Sequence, residues 1–277
     1  MPKKSVLITG CSGGIGHDAA HGLAARGWRV FATCRKEADC DRLRGEGLES
    51  FRLDYEDPAT IEAALAEVLA RTGGRLDALY NNGAYAIPGA VEDVPVAAMR
   101  AIFEANLFGW HDLTCRVIPV MRAQGQGRIV QCSSVLGMVA MKWRGAYVAS
   151  KFALEGLSDT LRMELAGSGI SVSLIEPGPI TSNFRRNARA QFHKWIDWEA
   201  SALADLYRDR LIMRLNAAGE APDRFELPAS AVTAKLIHAL ESPRPKARYF
   251  VTTPTWGANM IRRLLPTRAA DAILSGD

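Results

Sequence analysis

A tyrosine and a lysine four residues apart stand out in the segment GAYVASKFALEGL, residues 145–157. On a helix, positions i and i+4 lie on the same face, so the Tyr147 phenol and the Lys151 ammonium can converge on one point. Tyrosine titrates near pH ~10, and a nearby cation favours the phenolate. The pair is therefore a candidate general acid and base. The alternative is a buried tyrosine beside a solvated lysine.

Short apolar runs alternate with longer helical patterns, and these elements must position the pair. Strands are predicted at Val6–Thr9, Arg29–Thr33, Ser50–Leu53, Ala78–Asn81, Arg128–Cys132, Ile170–Ile175 and Arg248–Thr252. Helical periodicity covers Ile15–Arg26, Pro58–Arg71, Pro95–Ala123 and Tyr147–Ala166. This alternation predicts a single-domain α/β fold, a doubly wound parallel sheet of about seven strands with helices on both faces. Ligands of such sheets bind at the carboxyl ends of the strands.

A glycine-rich turn, TGCSGGIG, follows the first predicted strand. Gly10, Gly14 and Gly16 precede a helical pattern, and Ser12 and Ile15 lie between them. Glycine lets backbone amides approach a pyrophosphate, whose charge the helix N-terminus stabilises. The spacing is not G-x-G-x-x-G, and no lysine follows as in a nucleoside-triphosphate P-loop. The turn predicts dinucleotide binding in a Rossmann fold, with a plain tight turn as the alternative.

The end of the second strand indicates which dinucleotide is bound. An acidic residue there would bond to the adenosine ribose hydroxyls, whereas an arginine accommodates a 2′-phosphate. Arg35 and Lys36 occupy this place, and Glu37 and Asp39 come later. NADP(H) is therefore predicted over NAD(H), and the alternative is a pair of solvated loop cations. Asp54, ending the third strand, either accepts a bond from the adenine amine or caps the following helix.

Polar residues also follow the later strands. Asn81 ends the fourth strand in LYNNGAY, whose two side-chain amides and glycine can hold a chain that crosses at the cofactor. Asn106 lies inside a helical pattern, which asparagine disfavours unless a polar partner, a kink or a function requires it. After the sixth strand, Pro177, Gly178 and Thr181 lie at the mouth of the predicted site.

Together these residues resemble the short-chain dehydrogenases/reductases. The resemblance covers residues 5–182, with T-G-x-x-x-G-x-G at Thr9, an N-N-x-G-like element at Asn81, Asn106, and Y-x-x-x-K at Tyr147. Two serines end the fifth strand, and the family spacing selects Ser134, thirteen residues before Tyr147, over its neighbour. The sequence between these motifs is most similar to that of the NADP-dependent branch of the family, which includes 17β-hydroxysteroid dehydrogenases, retinol dehydrogenases and bacterial aldehyde reductases.

One departure from the family pattern is Asn81-Asn82-Gly83-Ala84, where N-N-A-G is usual. Glycine in place of alanine gives this turn extra backbone freedom. The departure predicts a slightly looser turn and no loss of catalysis.

The resemblance implies a role for each candidate residue. Tyr147 would give its proton to a carbonyl oxygen while NADPH delivers hydride to the carbon, and Lys151 would lower the pKa of Tyr147 and hold the nicotinamide ribose. Ser134 would hydrogen-bond the substrate oxygen, and Asn106 would hold a water that links Lys151 to solvent. The remaining candidates for cofactor binding are Gly10, Ser12, Gly14, Ile15, Gly16, Arg35, Lys36, Asp54, Asn81, Pro177, Gly178 and Thr181.

Two other functions are weighed against this one. A catalytically idle NADP(H)-binding sensor or scaffold would need only the glycines and Arg35, so the intact Asn106, Ser134, Tyr147 and Lys151 count against it. A sugar-nucleotide epimerase or dehydratase would resemble a longer chain with a different glycine spacing.

Three segments are predicted within the single domain: a dinucleotide-binding and catalytic core at 1–181, a substrate-binding lid at 182–227, and a C-terminal strand and tail at 228–277. Apolar side chains of the lid either roof a pocket for a small or medium-sized apolar carbonyl or alcohol substrate, or form ordinary core. They are Phe184, Phe192, Trp195, Trp198, Leu203, Leu206, Tyr207 and Leu211. Basic residues interrupt them, and a solvated helix face is predicted for these over contacts to an anionic substrate tail. They are Arg185, Arg186, Arg189 and Lys194.

Composition narrows the class of protein. The chain has 277 residues and a net charge of +4 with Lys and Arg spread along it, which indicates no nucleic-acid partner. Five cysteines without C-x-x-C spacing predict free thiols in a reducing compartment, hence a cytoplasmic protein. The histidines form no H-x-x-x-H pair with an acidic neighbour in place, so no metal site is predicted, and His17 and His21 are expected to share an ordinary helix face.

The ends of the chain carry two further predictions. MPKKSVLITG lacks the long apolar region of a secretion signal, and no run of eighteen apolar residues occurs to span a membrane. The C-terminal stretch WGANMIRRLLPTRAADAIL mixes large apolar residues with arginines. It is predicted to pack on the protein or on a partner subunit of a homo-oligomer, with peripheral membrane contact as the alternative.

Overall fold

The computed structural model describes residues 3–216 and 224–275. Seven parallel strands form one sheet in the order β3-β2-β1-β4-β5-β6-β7. They are β1 Ser5–Ile8, β2 Arg29–Cys34, β3 Glu49–Arg52, β4 Ala78–Asn81, β5 Gly127–Cys132, β6 Ile170–Glu176 and β7 Arg248–Phe250. All seven predicted strands are confirmed, and their ends differ from the predicted ones by at most two residues. The order reverses direction between β1 and β4, which is where such a fold opens a ligand crevice.

Helices cover both faces of the sheet, as the alternating pattern predicts. The described helices are α1 Gly14–Ala25, α2 Glu37–Gly45, α3 Pro58–Thr72, α4 Val96–Phe103, α5 Gly109–Ala123, α6 Gly145–Glu164, α7 Phe184–Trp195, α8 Ala204–Leu206, α9 Met213–Asn216, α10 Ser230–Glu241, α11 Thr253–Leu264 and α12 Thr267–Leu274. The sequence did not predict α2, because it buries only Cys40 and Leu43 and so carries a weak apolar period.

The stretch predicted as one helix over Pro95–Ala123 contains a π-helical turn. This turn, Glu104–Phe108, lies between α4 and α5, and Asn106 at its centre is completely buried. Single π turns are rare and are frequent at functional sites. The helix interrupted at asparagine, as the sequence indicated, is therefore present in the form of a π turn, and the Asn106 side chain is buried with polar partners.

The apolar side chains form two clusters, and the smaller one lies under the helices that follow β6. The larger cluster joins the sheet to its covering helices. The smaller cluster includes Tyr147 together with Phe192, Tyr207 and Leu211 of the predicted lid. Leu206 of the same region is 48% exposed. Some side chains of the predicted lid are therefore core, and some of these pack in the same cluster as Tyr147. Residues 217–223 of that region lie outside the described residues.

The histidine pair on α1 has an acidic neighbour that the local sequence did not reveal. Nε2 of His17 and Nε2 of His21 lie 2.7 and 2.8 Å from the same Glu46 carboxylate oxygen. Hydrogen bonds from His21 and His17, and one from Arg42, lower the pKa of Glu46 to about 2. The expectation that no carboxylate stands beside this pair was wrong, because Glu46 follows α2 and reaches α1 only through the fold.

Candidate active site

The glycine-rich turn between β1 and α1 fits a dinucleotide pyrophosphate. Gly10 and Gly14 have φ angles of +70° and +54°, in the left-handed region that favours glycine. A Cβ on Gly10 would lie 2.5 Å from Cα of Gly83, and a Cβ on Gly16 would overlap the Gly10 carbonyl oxygen. No side chain caps the N-terminus of α1, and no acidic residue lies in its first turn. The amides of this turn are therefore available to an anion.

A hydrogen-bond network centred on Thr9 holds the turn. The Thr9 hydroxyl oxygen lies 2.6 Å from the Tyr55 hydroxyl and accepts a bond of 2.9 Å from the Asn82 amide. The Asn82 side chain donates to the carbonyl oxygens of Thr9 at 3.0 Å and of Gly10 at 3.3 Å. The sequence analysis did not select Asn82 or Tyr55, which hold the glycine-rich turn in place through Thr9. It did indicate that the two side-chain amides of LYNNGAY could hold a crossing chain.

The predicted cofactor residue Asn81 braces the sheet from within. Its side chain is completely buried, lies 2.7 Å from the Tyr55 hydroxyl, and donates to Thr114 at 3.0 Å and to Gln131 at 2.9 Å. All polar atoms of the side chain are thereby occupied. The side chain that fixes the glycine-rich turn is that of its neighbour Asn82, which donates to the carbonyls of Thr9 and Gly10.

Gly83, which departs from the family pattern, does not loosen its turn. Its amide lies 3.3 Å from the Thr9 hydroxyl oxygen, and its carbonyl accepts a bond of 2.8 Å from the Trp110 indole. The expected extra freedom is therefore removed, because both backbone groups of this glycine are hydrogen-bonded.

The two cations predicted to select NADP(H) are exposed at the end of β2. Arg35 and Lys36 lie in the connection to α2. Glu37, the next residue in the sequence, pairs with Arg44 of α2 at 2.5 Å. Among the described residues, no carboxylate forms an ion pair with Arg35 or Lys36, and the choice of NADP(H) over NAD(H) stays a prediction.

Asp54 does not cap the following helix. Its carboxylate accepts a bond of 3.2 Å from the amide of Glu56 within the turn. The N-cap of α3 is Asp57, and no side chain caps that helix. The capping alternative for Asp54 was therefore wrong, and its contact to adenine stays a prediction.

The remaining cofactor candidates lie in loops at the carboxyl edge of the sheet. The Ser12 carbonyl accepts a bond of 2.8 Å from Arg42, and the Pro177 carbonyl accepts one of 2.8 Å from the amide of Val135. A Cβ on Gly178 would overlap the hydroxyl of Thr252. Ile15 is half-buried, and Thr181 is exposed and donates its amide to Leu227 at 3.0 Å. The fold thus brings the loops after β1 and β6 to one edge.

Tyr147, Lys151 and Ser134 meet where β5 ends against α6. Tyr147 is 7% exposed, and the Ser134 side chain is near enough to its hydroxyl to lower its pKa. The buried Ser133 hydroxyl lies beside Glu155 instead. The Lys151 ammonium donates to the Cys132 carbonyl at 2.8 Å and lies 5.7 Å from the centre of the Tyr147 ring. Ser134 is thus near the Tyr147 hydroxyl, and the choice of Ser134 over Ser133 stays a prediction.

Burial dominates the acidity of both groups. Desolvation lowers the pKa of Lys151 to about 8. Desolvation also raises the pKa of Tyr147 above its ordinary value, and the nearby Ser134 side chain opposes this only in part. The sequence predicted that Lys151 would lower the pKa of Tyr147. The pKa shift of Tyr147 is the opposite of this prediction, because desolvation of the buried phenol is its largest cause and Lys151 is not among the causes.

Asn106 links the π-helical turn to α6. Its side-chain oxygen accepts a bond of 3.1 Å from the Tyr85 amide, and its side-chain nitrogen donates 2.9 Å to the Tyr85 carbonyl and lies 3.2 Å from the Ser150 hydroxyl. Ser150 in turn donates to the Tyr147 carbonyl at 2.8 Å. Asn106 therefore positions the helix that carries Tyr147, and its predicted water contact stays a prediction.

Trp110 is a second residue that the sequence gave no reason to select. It is completely buried in α5, and the Lys151 ammonium lies 4.3 Å from its ring centre. A cation over an aromatic face is stabilised electrostatically. Trp110 thus holds a desolvated lysine beside the tyrosine, and only the packing of α5 on α6 reveals it.

The close approach of Gly10 to Gly83 gives a testable consequence. Gly10→Ala is expected to destabilise the fold by about 2–5 kcal/mol, because the left-handed φ and the overlap with backbone add. Gly27→Ala serves as the matched control, since Gly27 has φ +88° and no atom within 4 Å of its would-be Cβ. Urea unfolding and NADPH titration of both variants test this. Equal losses in the two variants would contradict the close packing of the turn.

The fold and this set of side chains define a dinucleotide-dependent oxidoreductase. The short chain dehydrogenase family model matches residues 4–192, and the chain belongs to that family. "Uncharacterized oxidoreductase YbbO" of Escherichia coli K12 is 42% identical over 99% of this chain and 95% of its own length. Retinol dehydrogenase 16 of Mus musculus is 32% identical, over 99% and 88%. NADPH-dependent 3-dehydrocapnine reductase of Ornithobacterium rhinotracheale is 29% identical, over 98% and 96%.

Solved structures show the same fold with either cofactor. A short chain dehydrogenase/reductase from Burkholderia phymatum in complex with NAD superposes with a TM-score of 0.77 at 25% identity, over 98% of this chain and 95% of that one. Actinorhodin polyketide ketoreductase with NADPH gives 0.72 at 26% identity, over 90% and 95%. The family thus binds nicotinamide dinucleotides, and the choice between the two depends on residues of each chain.

Proposed function

We propose that this protein uses NADP(H) to reduce an apolar aldehyde or ketone to the alcohol, reversibly, with Tyr147 as the general acid and base. The observation that carries the proposal is the buried Tyr147 side chain, which lies beside Ser134 and one helical turn from Lys151. The bound cofactor supplies the hydride. Tyr147 supplies the proton to the carbonyl oxygen, and Ser134 orients that oxygen.

The acidity of Tyr147 favours the reductive direction. Because burial raises its pKa, the phenol keeps its proton at neutral pH and can donate it. Oxidation of an alcohol needs the phenolate, so its rate should rise with pH above neutrality. Reduction should lack this rise.

The lid side chains support an apolar substrate. The Phe184 ring meets the Tyr147 ring edge-on at 5.4 Å, and Phe192 and Tyr207 are fully buried behind it. The names of two relatives, a retinol dehydrogenase and an NADPH-dependent 3-dehydrocapnine reductase, lend support to oxidoreduction between an alcohol and a carbonyl. We accordingly propose residues 182–227 as the substrate-binding segment between the core at 1–181 and the tail at 228–277.

The test is oxidation of NADPH, followed by its ultraviolet absorbance, against aliphatic, aromatic and retinoid aldehydes and ketosteroids. Turnover of at least one class by the wild type would support the proposal. Tight NADPH binding without turnover of any class would favour the idle sensor or scaffold instead.

Cofactor choice is proposed from Arg35 and Lys36. Arg35→Asp is expected to weaken NADPH binding by roughly 10- to 100-fold while affecting NADH little, because a charge-assisted contact to the 2′-phosphate is lost and reversed. Arg75→Asp, with the same charge change in the loop before β4, is the matched control. A loss of NADPH affinity in both variants, or in neither, would contradict the role of Arg35.

We further propose a cytoplasmic homo-oligomer. All five cysteines are free thiols, which fits a reducing compartment. Among residues 3–216 and 224–275, no helix is both long and apolar enough to cross a membrane. Trp256, Met260 and Leu264 of α11 are exposed, and such a face suits a partner subunit. Light scattering would test this, and cosedimentation with anionic vesicles would favour peripheral membrane contact instead.

A further inference from the structure

Two histidines of α1 and a glutamate that follows α2 form a cluster of candidate metal ligands at the protein surface. Nε2 of His17 and Nε2 of His21 lie 2.7 and 2.8 Å from the same carboxylate oxygen of Glu46, Oε2. The three ligand atoms all lie within 4.8 Å of one another. Across the described ranges of the chain, no other group of three histidine, cysteine or acidic side chains meets in this way. The carbonyl reduction proposed above does not use this cluster.

The helix presents the two imidazoles as a pair. His17 and His21 are four residues apart, so their side chains lie on one face of α1, and their ring centres are 4.6 Å apart. Two histidines at this spacing on a helix, completed by a glutamate from another segment, form a ligand set that zinc uses. A tetrahedral zinc ion with bonds of about 2.0–2.2 Å places its ligand atoms about 3.3 Å apart. A retreat of the Glu46 oxygen by about 0.5 Å therefore makes room for the ion between the three atoms.

Arg42 holds the carboxylate so that one oxygen faces the imidazoles. The Arg42 guanidinium donates to the other oxygen of Glu46, Oε1, at 2.6 Å. The same guanidinium donates to the Ser12 carbonyl at 2.8 Å, and Asp39 lies 3.8 Å from it. A hydrogen-bonded partner of this kind orients a carboxylate for metal binding. The negative charge of Asp39 offsets the cation that stands near the proposed ion.

The cluster is open to a hydrated ion. The side chains of His17, His21 and Glu46 are 35%, 40% and 29% exposed. Three protein ligands leave a fourth position of zinc to water, which an exposed site supplies. Hydrogen bonds among exposed side chains contribute little to stability, whereas a bound ion would join α1 to the end of α2.

We propose that His17, His21 and Glu46 bind a zinc ion, with water as the fourth ligand. The ion takes the place of the hydrogen atoms between the imidazoles and the carboxylate, and each ring then carries its hydrogen on Nδ1. Because Arg42 joins Glu46 to the glycine-rich turn at Ser12, the ion also braces that turn. The metal site is independent of carbonyl reduction. The sequence-based prediction of no metal site did not include Glu46, which reaches α1 only through the fold.

The test is binding of zinc, and of cobalt as its spectroscopic substitute, to the full chain after treatment with a chelator. Calorimetric titration is expected to show a single zinc ion bound, and cobalt should give the visible absorption of a tetrahedral site. Zinc at about 100 times its dissociation constant should raise the melting temperature by about 5 °C. Absence of both the heat of binding and the cobalt absorption would overturn the proposal.

Variants of the ligands identify where the metal binds. His21→Asn and Glu46→Gln should each weaken zinc binding by more than about 100-fold, the upper end of the loss typical for an outer-shell partner. His111→Asn is the matched control, because this exposed histidine also has a ligand type four residues on. The Cys115 sulfur lies 3.5 Å from Nε2 of His111, and no described carboxylate completes that pair. His111→Asn should therefore bind zinc as the wild type does.

The variants also give the results that would contradict the site. Unchanged zinc affinity in His21→Asn and Glu46→Gln would show that the cluster is only a set of hydrogen bonds. An equal loss of affinity in His111→Asn would place the metal elsewhere on the surface. Melting temperatures without zinc should match that of the wild type, because the substituted side chains are partly exposed.

Discussion

Replacing Tyr147 with phenylalanine is expected to lower kcat for carbonyl reduction by about 10²- to 10⁴-fold, the usual contribution of a positioned general acid. The reason is that the phenylalanine ring keeps the packing against Phe184 and removes only the hydroxyl that meets Ser134. Steady-state rates with NADPH and the best aldehyde measure the effect. The affinity for NADPH should not change, because the ring and Lys151 remain.

Tyr249→Phe provides the matched control. Its hydroxyl lies 2.9 Å from His238 Nδ1 and accepts a bond of 2.9 Å from the Lys246 amide, away from the ends of β5 and α6. Full activity in this variant and none in Tyr147→Phe would assign the proton to Tyr147. Comparable residual activity in Tyr147→Phe and wild type would refute that assignment.

The second large effect concerns stability. Arg248 of β7 donates to Glu176 at 3.0 Å, to Glu155 at 2.8 Å and to Asp159 at 2.8 Å. Glu176 is completely buried and Glu155 nearly so. Arg248→Met is expected to lower the free energy of unfolding by about 3 kcal/mol, because it leaves buried carboxylates without their cation. This value is at the lower end of the usual range, since the Arg248 side chain is 26% exposed.

The free energy of unfolding that Arg248→Met loses should grow as the pH rises. Burial, with the charge of Glu155, raises the pKa of Glu176 to about 8 in the folded protein, against an ordinary value of 4.5. The folded state therefore binds this proton more tightly, and its contribution to stability falls as pH rises from about 4.5 to about 8. Arg248→Met should be most harmful above that range, and Glu176→Gln should flatten the slope of the wild type.

Urea unfolding across this pH range measures both effects. Arg26→Met is the control, since it removes an exposed arginine paired with Glu241 and should change stability little. A pH-independent loss in Arg248→Met, or an unchanged slope in Glu176→Gln, would show that the buried carboxyls do not hold a proton.

The sequence by itself determined the sheet, the glycine-rich turn and the Tyr147–Lys151 pair. These depend on local properties: strand and helix periodicity, the need for glycine at a left-handed turn, and the i to i+4 spacing of one helix. The spacing from Ser134 to Tyr147 carried over because β5 and the start of α6 adjoin one another in the chain. Local signals of this kind do not depend on what packs against them.

Only the tertiary structure decided the hydrogen-bond partners and the pKa values of the site residues. The different contacts of Asn81 and Asn82 and the carboxylate beside His17 arise from contacts between elements far apart in sequence. The raised pKa of Tyr147 has the same origin, since desolvation depends on everything that covers the phenol. Burial and long-range contact set the strength of these charges, and no local pattern of residues records them.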